Sequence, residues 1–175
     1  MSDRERDFGE FYLAVFPRLL GQLTAQCGSV AEAEDVVQEA LSRAYRGWRR
    51  VSEYDVPEAW VRVVAMRIAI SKERRRKVAR AALPLLASRH HLPSVADAVD
   101  ARETLIRALQ ALTPEQRRAV VLHHIADQSV DDIAVALQVS PNTVKSWLSR
   151  GRRRLQEELG EPTVDAEPVL QEALA

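Results

Sequence analysis

The chain has 175 residues, 46% of them hydrophobic and 29% charged, with 25 basic and 25 acidic side chains, enough for one domain or two small ones and for no large core in either half. No stretch of about 18 uninterrupted apolar residues occurs, and no basic start leads into an apolar segment and a cleavage site, which argues against a membrane span or a signal peptide and for a cytoplasmic chain. Its single cysteine, Cys27, cannot form an internal disulfide and is expected to act as a small buried hydrophobe.

Helical periodicity starts early. Phe8, Phe11, Tyr12, Val15, Leu19 and Leu23 recur at helical spacing, with Pro17 expected to kink or split the segment. Gly28 suits a helix end, and Ser29 with Glu32 three residues later reads as a capping box that opens the next helix. On that second helix Val37, Leu41, Ala44 and Trp48 line one side, which leaves Asp35, Gln38 and Glu39 largely on the other. Residues 1–60 carry seven cations and eleven anions.

The sign then reverses. From Val61 to Arg80 eight cations stand against one anion, Glu73, and such asymmetry suggests that different faces meet different partners. Pro57 opens this helix as a good first-turn residue. At about 100° per residue, Val61, Val64, Ala65 and Ile68 form one apolar stripe and Val63, Met66 and Ile70 another, so the helix should sit between neighbours. Trp60, Arg67, Ser71 and Arg74 project between the stripes along a ridge that runs into the basic cluster of Lys72, Arg74, Arg75, Arg76, Lys77 and Arg80.

Between residues 81 and 100 the periodicity weakens around Pro84, Pro93 and the pair His90–His91, as in a linker. Leu105, Leu109 and Leu112 then continue a helix, and "TPEQ" starts another, with Thr113 as cap, Pro114 at the first position and Gln116 closing a box. In "SVDDIAVALQVSPNTVKSWLSRGRRRL", Val130, Ile133, Ala134 and Leu137 face inward on a short helix. Gln138 to Ser140 turn, and Ser140 with Pro141 opens the next helix. That is the layout of a helix-turn-helix. Val144, Leu148, Gly151 and Leu155 form the packed stripe of its second helix; Asn142, Ser146, Ser149 and Arg153 lie opposite, with Lys145 and Arg150 nearby. These residue types reach base edges and phosphates from a major groove. Beyond Gly160 the acidic, proline-containing tail reads as disordered, although Leu170 and Leu174 would suit one turn of a partner-bound helix.

The pattern is an all-α fold of two small helical domains joined by a flexible linker: residues 1–80, a linker over 81–100, a helix-turn-helix domain over 101–160 and a tail over 161–175. His123–His124 and His90–His91 lack cysteine or carboxylate companions at metal-ligand spacing, and no nucleophile with its base or glycine-rich phosphate loop stands out, so neither a metal, a cofactor nor an enzymatic activity is expected.

The blocks "AEDVVQEALSRAYRGW", "PEAWVRVVAMRIAISKERRR" and "LQALTPEQRRAVVLHHIADQSVDDIAVALQVSPNTVKSWLSRGRRRL" resemble, in order and separation, those of bacterial sigma factors of the extracytoplasmic-function group, most of all its short actinobacterial SigE-like branch. The resemblance covers roughly Phe8 to Leu159. It implies that Asp35, Gln38 and Glu39 dock on the beta-prime clamp helices of core RNA polymerase, with further contact to the beta subunit. It implies that Trp60, Arg67, Ser71, Lys72, Arg74, Arg75, Arg76 and Lys77 meet the minus-ten promoter element, and that Asn142, Thr143, Lys145, Ser146, Ser149, Arg150 and Arg153 meet the minus-thirty-five element. An anti-sigma factor is a further partner commonly found in the family.

Four positions depart from the family pattern. Arg67 stands where an asparagine is common, and a guanidinium cannot reproduce an amide's paired donor and acceptor; Ser71 replaces a frequent aspartate. Gln138 replaces a usual glycine, which is costly if the turn needs positive φ. Trp147 stands where an arginine is frequent and is expected to pack on neighbouring helices. Two other classes compete with the sigma reading: a free-standing dimeric helix-turn-helix regulator, and an interaction protein that uses the acidic face without reading DNA.

Overall fold

A computed structural model describes residues 3–82 and 98–159, all of whose regular elements are helical. The acidic tail and most of the expected linker lie outside the described residues. α1 (Asp3–Cys27), α2 (Val30–Arg46), α3 (Trp48–Val51) and α4 (Pro57–Ala82) form the first half. α5 (Ala98–Gln110), α6 (Pro114–Val120), α7 (Val130–Leu137) and α8 (Pro141–Leu159) form the second, with a wide π-helical turn over Val121–Ile125 extending α6. The helices therefore reach two to three residues into the span expected to be linker at both of its ends.

α1 runs through Pro17 as one helix, so the chain is not split there. Pro17 and Leu13, whose carbonyl loses its helical partner, are both exposed, so the lost hydrogen bond falls on the water side. Val15, Leu19 and Leu23 anchor the opposite side in the core. They pack with Val36, Val37, Ala40, Leu41 and Ala44 of α2, Trp48 and Val51 of α3, and Val61, Ala65 and Ile68 of α4. The Trp48 indole donates to Asp7 Oδ2 at 2.8 Å while its ring packs on Phe8 and Phe11.

Local signals set the helix ends. Gly28 ends α1 with φ +78°, and its N–H donates to Thr24 O at 2.8 Å. Ser29 Oγ accepts from Glu32 N at 3.5 Å, but the expected box stays half-made, because the Glu32 carboxylate is engaged by the stronger charge of Arg76. The Thr113 box is complete: Thr113 Oγ1 accepts from Gln116 N at 3.3 Å and Gln116 Oε1 from Thr113 N at 3.2 Å.

In the second half Val144, Leu148, Gly151 and Leu155 of α8 are all buried, the four positions given by periodicity. They pack against Ile133 and Ala134 of α7, Leu105 and Leu109 of α5, and Ala119 and Val120 of α6. Gly151 is where α8 comes closest to α6: an added Cβ would lie 2.8 Å from Val120 Cγ2. Trp147 packs against this core, as expected.

Gln138 ends α7 in the left-handed region, φ 58° and ψ 46°. For a residue with a Cβ this conformation costs about 1–2 kcal/mol. Gln138→Gly removes that strain but enlarges the unfolded chain's entropy by about 0.5–1 kcal/mol. The expected result is a gain near 1 kcal/mol, visible as a melting temperature raised by a few degrees.

Candidate nucleic-acid interface

Three surfaces carry the candidate residues. On α4, Arg67, Ser71 and Arg74 are exposed in one row, whereas Trp60 is half-buried against the first core, so its ring serves packing as well as the ridge. The basic cluster divides in two. Lys72 Nζ lies 4.0 Å from Asp35 Oδ2, and Arg76 pairs with Glu32, so these two cations lean onto α2. Arg74, Arg75 and Lys77 are exposed and make no ion pair with other described residues. Arg80 belongs to α4, and its side chain lies outside the described residues.

On α2, Asp35 has 75% of its side chain exposed, Gln38 is exposed, and Glu39 Oε1 accepts from Arg43 Nη2 at 2.5 Å. The acidic face and the basic ridge therefore share an edge, where Glu32 and Asp35 of one meet Arg76 and Lys72 of the other. Sequence reading used Glu32 only as a capping residue. The cations four apart on α4, matched to acids three apart on α2, were the available signal.

On α8, Asn142, Lys145, Ser149, Arg150 and Arg153 are exposed along one side. Thr143 and Ser146 are half-buried and already engaged: Thr143 Oγ1 shares a 2.8 Å hydrogen bond with Ser140 Oγ in the helix cap, and Ser146 Oγ accepts from Arg150 Nη2 at 2.6 Å. Beside this row opens a cleft of about 420 Å³, lined among others by His123, Lys145, Ser149, Arg152 and Arg153. Arg152 was missed from sequence. Its Nε lies 3.2 Å from His124 Nε2, which holds it at the cleft. His123 Nδ1 bonds the Gln128 carbonyl at 2.8 Å, and His90–His91 lies outside the described residues.

Behind these surfaces sit the partly buried Cys27 and the buried Arg117. Burial pushes the Cys27 thiol up to about 12, with the Glu32 charge adding to the effect, so it is a protonated, unreactive group. Arg117 is 8% exposed, and burial lowers its pKa from the usual guanidinium value against the opposing pull of Glu73. Its charge persists, held by backbone carbonyls at Leu109, Leu112 and Gln26.

Each half has counterparts among known proteins. The family profile "Sigma-70 region 2" matches residues 11–80 and "Sigma-70, region 4" matches residues 102–155. The chain is 33% identical over 141 residues to the RNA polymerase sigma-E factor of Streptomyces antibioticus, covering 81% of this chain and 78% of that one. It is also 33% identical over 144 residues to the ECF RNA polymerase sigma factor SigM of Mycobacterium tuberculosis, covering 81% and 70%. Among solved structures, the sigma factor RpoE of Bartonella quintana, in complex with the anti-sigma factor NepR, superposes with a TM-score of 0.70 at 26% identity, over 88% of this chain and 97% of that one. The M. tuberculosis extracytoplasmic-function sigma factor SigJ gives 0.59 at 27% identity, over 85% and 52%. With an acidic face, a basic helical ridge and a helix-turn-helix in the order of both profiles, the chain belongs to the sigma-70 family, as a sigma factor of the extracytoplasmic-function group.

Proposed function

We propose that the exposed α2 face of Asp35, Gln38 and Glu39 docks on core RNA polymerase, at the beta-prime clamp helices. In this reading the Arg67, Ser71, Arg74 ridge with Arg75 and Lys77 meets the minus-ten element, and the exposed side of α8 reads the minus-thirty-five element. The observation that carries it is the division of charge: an acidic face on α2 adjoins a basic ridge on α4, so one small body offers a protein partner and a phosphate backbone two separate surfaces. Phosphate-facing cations position the protein, while Asn142, Lys145 and Ser149 are of the types that read base edges.

Energetics assign the work. Opening roughly ten base pairs at about 1.4 kcal/mol per stacking step costs on the order of 14 kcal/mol. That exceeds the roughly 4–10 kcal/mol by which specific DNA binding usually surpasses non-specific binding. The chain therefore supplies the address and assists opening, and the polymerase holds the bubble and performs the synthesis in the cytoplasm. No helix among the described residues is long and apolar enough to cross a membrane. An anti-sigma factor of the kind that RpoE carries in its complex is a further proposed partner.

The test is run-off transcription and footprinting on genomic fragments. Core polymerase with this chain should start transcripts at discrete sites and protect both promoter elements, and the chain alone should protect neither. Sequence-specific protection of duplex DNA by the chain alone, with an affinity falling steeply with salt, would instead identify a free-standing regulator.

A further inference from the structure

The cleft of about 420 Å³ beside α8 is cationic and has no counter-charge of its own. Lys145, Ser149, Arg152 and Gln156 follow one another four, three and four residues apart, so they stack along one flank of the helix. All four are exposed. Val130 and Leu148 add apolar surface to the lining, and no carboxylate belongs to it. Lys145 and Arg152 make no ion pair with other described residues. The acids at the end of α8 are committed elsewhere: Glu157 and Glu158 pair with Arg154 at 3.1 and 2.6 Å, and Glu157 comes no nearer than 3.9 Å to Arg153. A cleft lined by one sign of charge concentrates ligands of the other sign.

One segment of this chain is the complement of that lining. Residues 161–175 contain four acids, Glu161, Asp165, Glu167 and Glu172, and no cation, with Val164, Val169 and Leu170 interleaved. The segment follows directly on α8, so it is tethered beside the cleft. Arg152 and Lys145 stand seven and fourteen residues before Leu159, about 10 and 21 Å back along the helix. An extended chain at about 3.3 Å per residue covers the longer distance in about seven residues. Asp165 and Glu167, six and eight residues beyond Leu159, therefore come within reach of both cations.

The tether makes even a weak contact effective. A short flexible link holds its two ends at an effective concentration on the order of 1 mM. At that concentration a contact with a dissociation constant of about 0.1 mM keeps the cleft filled about nine-tenths of the time.

We infer that segment 161–175 docks in this cleft, with its acids on Lys145 and Arg152, and that DNA phosphate has to displace it there. The docking stands by itself; the competition with DNA rests on the α8 reading above. The experiment uses the full chain, labelled with nitrogen-15 and carrying a nitroxide at Ala166→Cys; the buried, protonated Cys27 thiol stays unlabelled at neutral pH. The amide signals of Lys145, Ser149 and Arg152 should lose more than about half their intensity at low salt and regain it at about 1 M, where exposed charges are screened. Exchanging the four acids for amides, Glu161→Gln, Asp165→Asn, Glu167→Gln and Glu172→Gln, should abolish the broadening. The same exchange should tighten binding to a short DNA duplex about tenfold, because the open fraction of the cleft rises from about one-tenth to one. Neutralising four exposed acids of the first half, Glu10→Gln, Glu34→Gln, Glu53→Gln and Asp55→Asn, alters the net charge equally and should move that affinity less than about twofold. Broadening confined to the end of α8, or equal in the parent and the amide variant, overturns the docking. Broadening passed to an isotope-labelled chain without a nitroxide, in a mixture of the two, reveals docking between copies and overturns the intramolecular site. An unchanged duplex affinity in the amide variant overturns the competition. All of this is read without polymerase, so its failure is separate from that of the sigma-factor reading.

Discussion

Exchanging Arg74, Arg75 and Lys77 together for alanine is expected to lower promoter affinity of the polymerase complex about 500-fold at 0.1 M salt and to leave polymerase docking intact. Each phosphate contact contributes a log-log salt slope of about −0.9, which at 0.1 M is roughly eightfold in affinity relative to 1 M, so three contacts multiply to that figure. The slope itself should flatten by about 2.7, a signature that misfolding does not produce. These three cations are the appropriate choice because they are exposed and make no ion pair with other described residues, whereas Arg76 is already engaged by Glu32. Titrations of holoenzyme on a mapped promoter across salt concentrations provide the check. A parallel loss of polymerase docking would locate the effect in folding of α4.

The charge division and most of both cores were legible in the sequence because they follow from helical period. Val144, Leu148, Gly151 and Leu155 recur at the spacing of one helix face, and all four are buried. The two stripes of α4 likewise signalled that it lies between neighbours. Met66 and Ile70 do pack on something other than the first core, but period reports that a face is buried and not what buries it. The second half as their partner emerged only in three dimensions. Arg117 escaped notice for a related reason: "EQRRAV" offers two adjacent arginines with identical chemistry. Only helix phase, which puts Arg117 in line with Val120 and Val121, decides which one goes inside. That Pro17 does not split α1 was not legible, because proline's cost depends on whether the freed carbonyl faces water, a tertiary fact. At Gln138 the resemblance marked a usual glycine and left open whether the turn needs positive φ; the observed φ of 58° answers that it does.

The α2 face invites the other large effect. Asp35→Arg with Glu39→Arg turns two acids presented to a partner into cations, and placing like charges opposite one another costs several kcal/mol at an interface. At about 2 kcal/mol for each reversal the affinity for core polymerase falls about a thousandfold. The fold should tolerate the change. Asp35 is 75% exposed, and its contact with Lys72 is a long 4.0 Å. Reversing Glu39 gives up only its pair with Arg43, one turn away on the same helix, a loss of tenths of a kcal/mol. Surface substitutions of this kind usually stay within about 0.5 kcal/mol.

The most direct measurement is therefore a titration of the labelled chain against core RNA polymerase, parent beside the Asp35→Arg/Glu39→Arg variant, with both shown to be folded by circular dichroism. Tight binding by the parent and its loss in the variant is the predicted result. A folded parent that does not bind core polymerase, or a variant that binds as tightly as the parent, would contradict the assignment of this face as the polymerase dock.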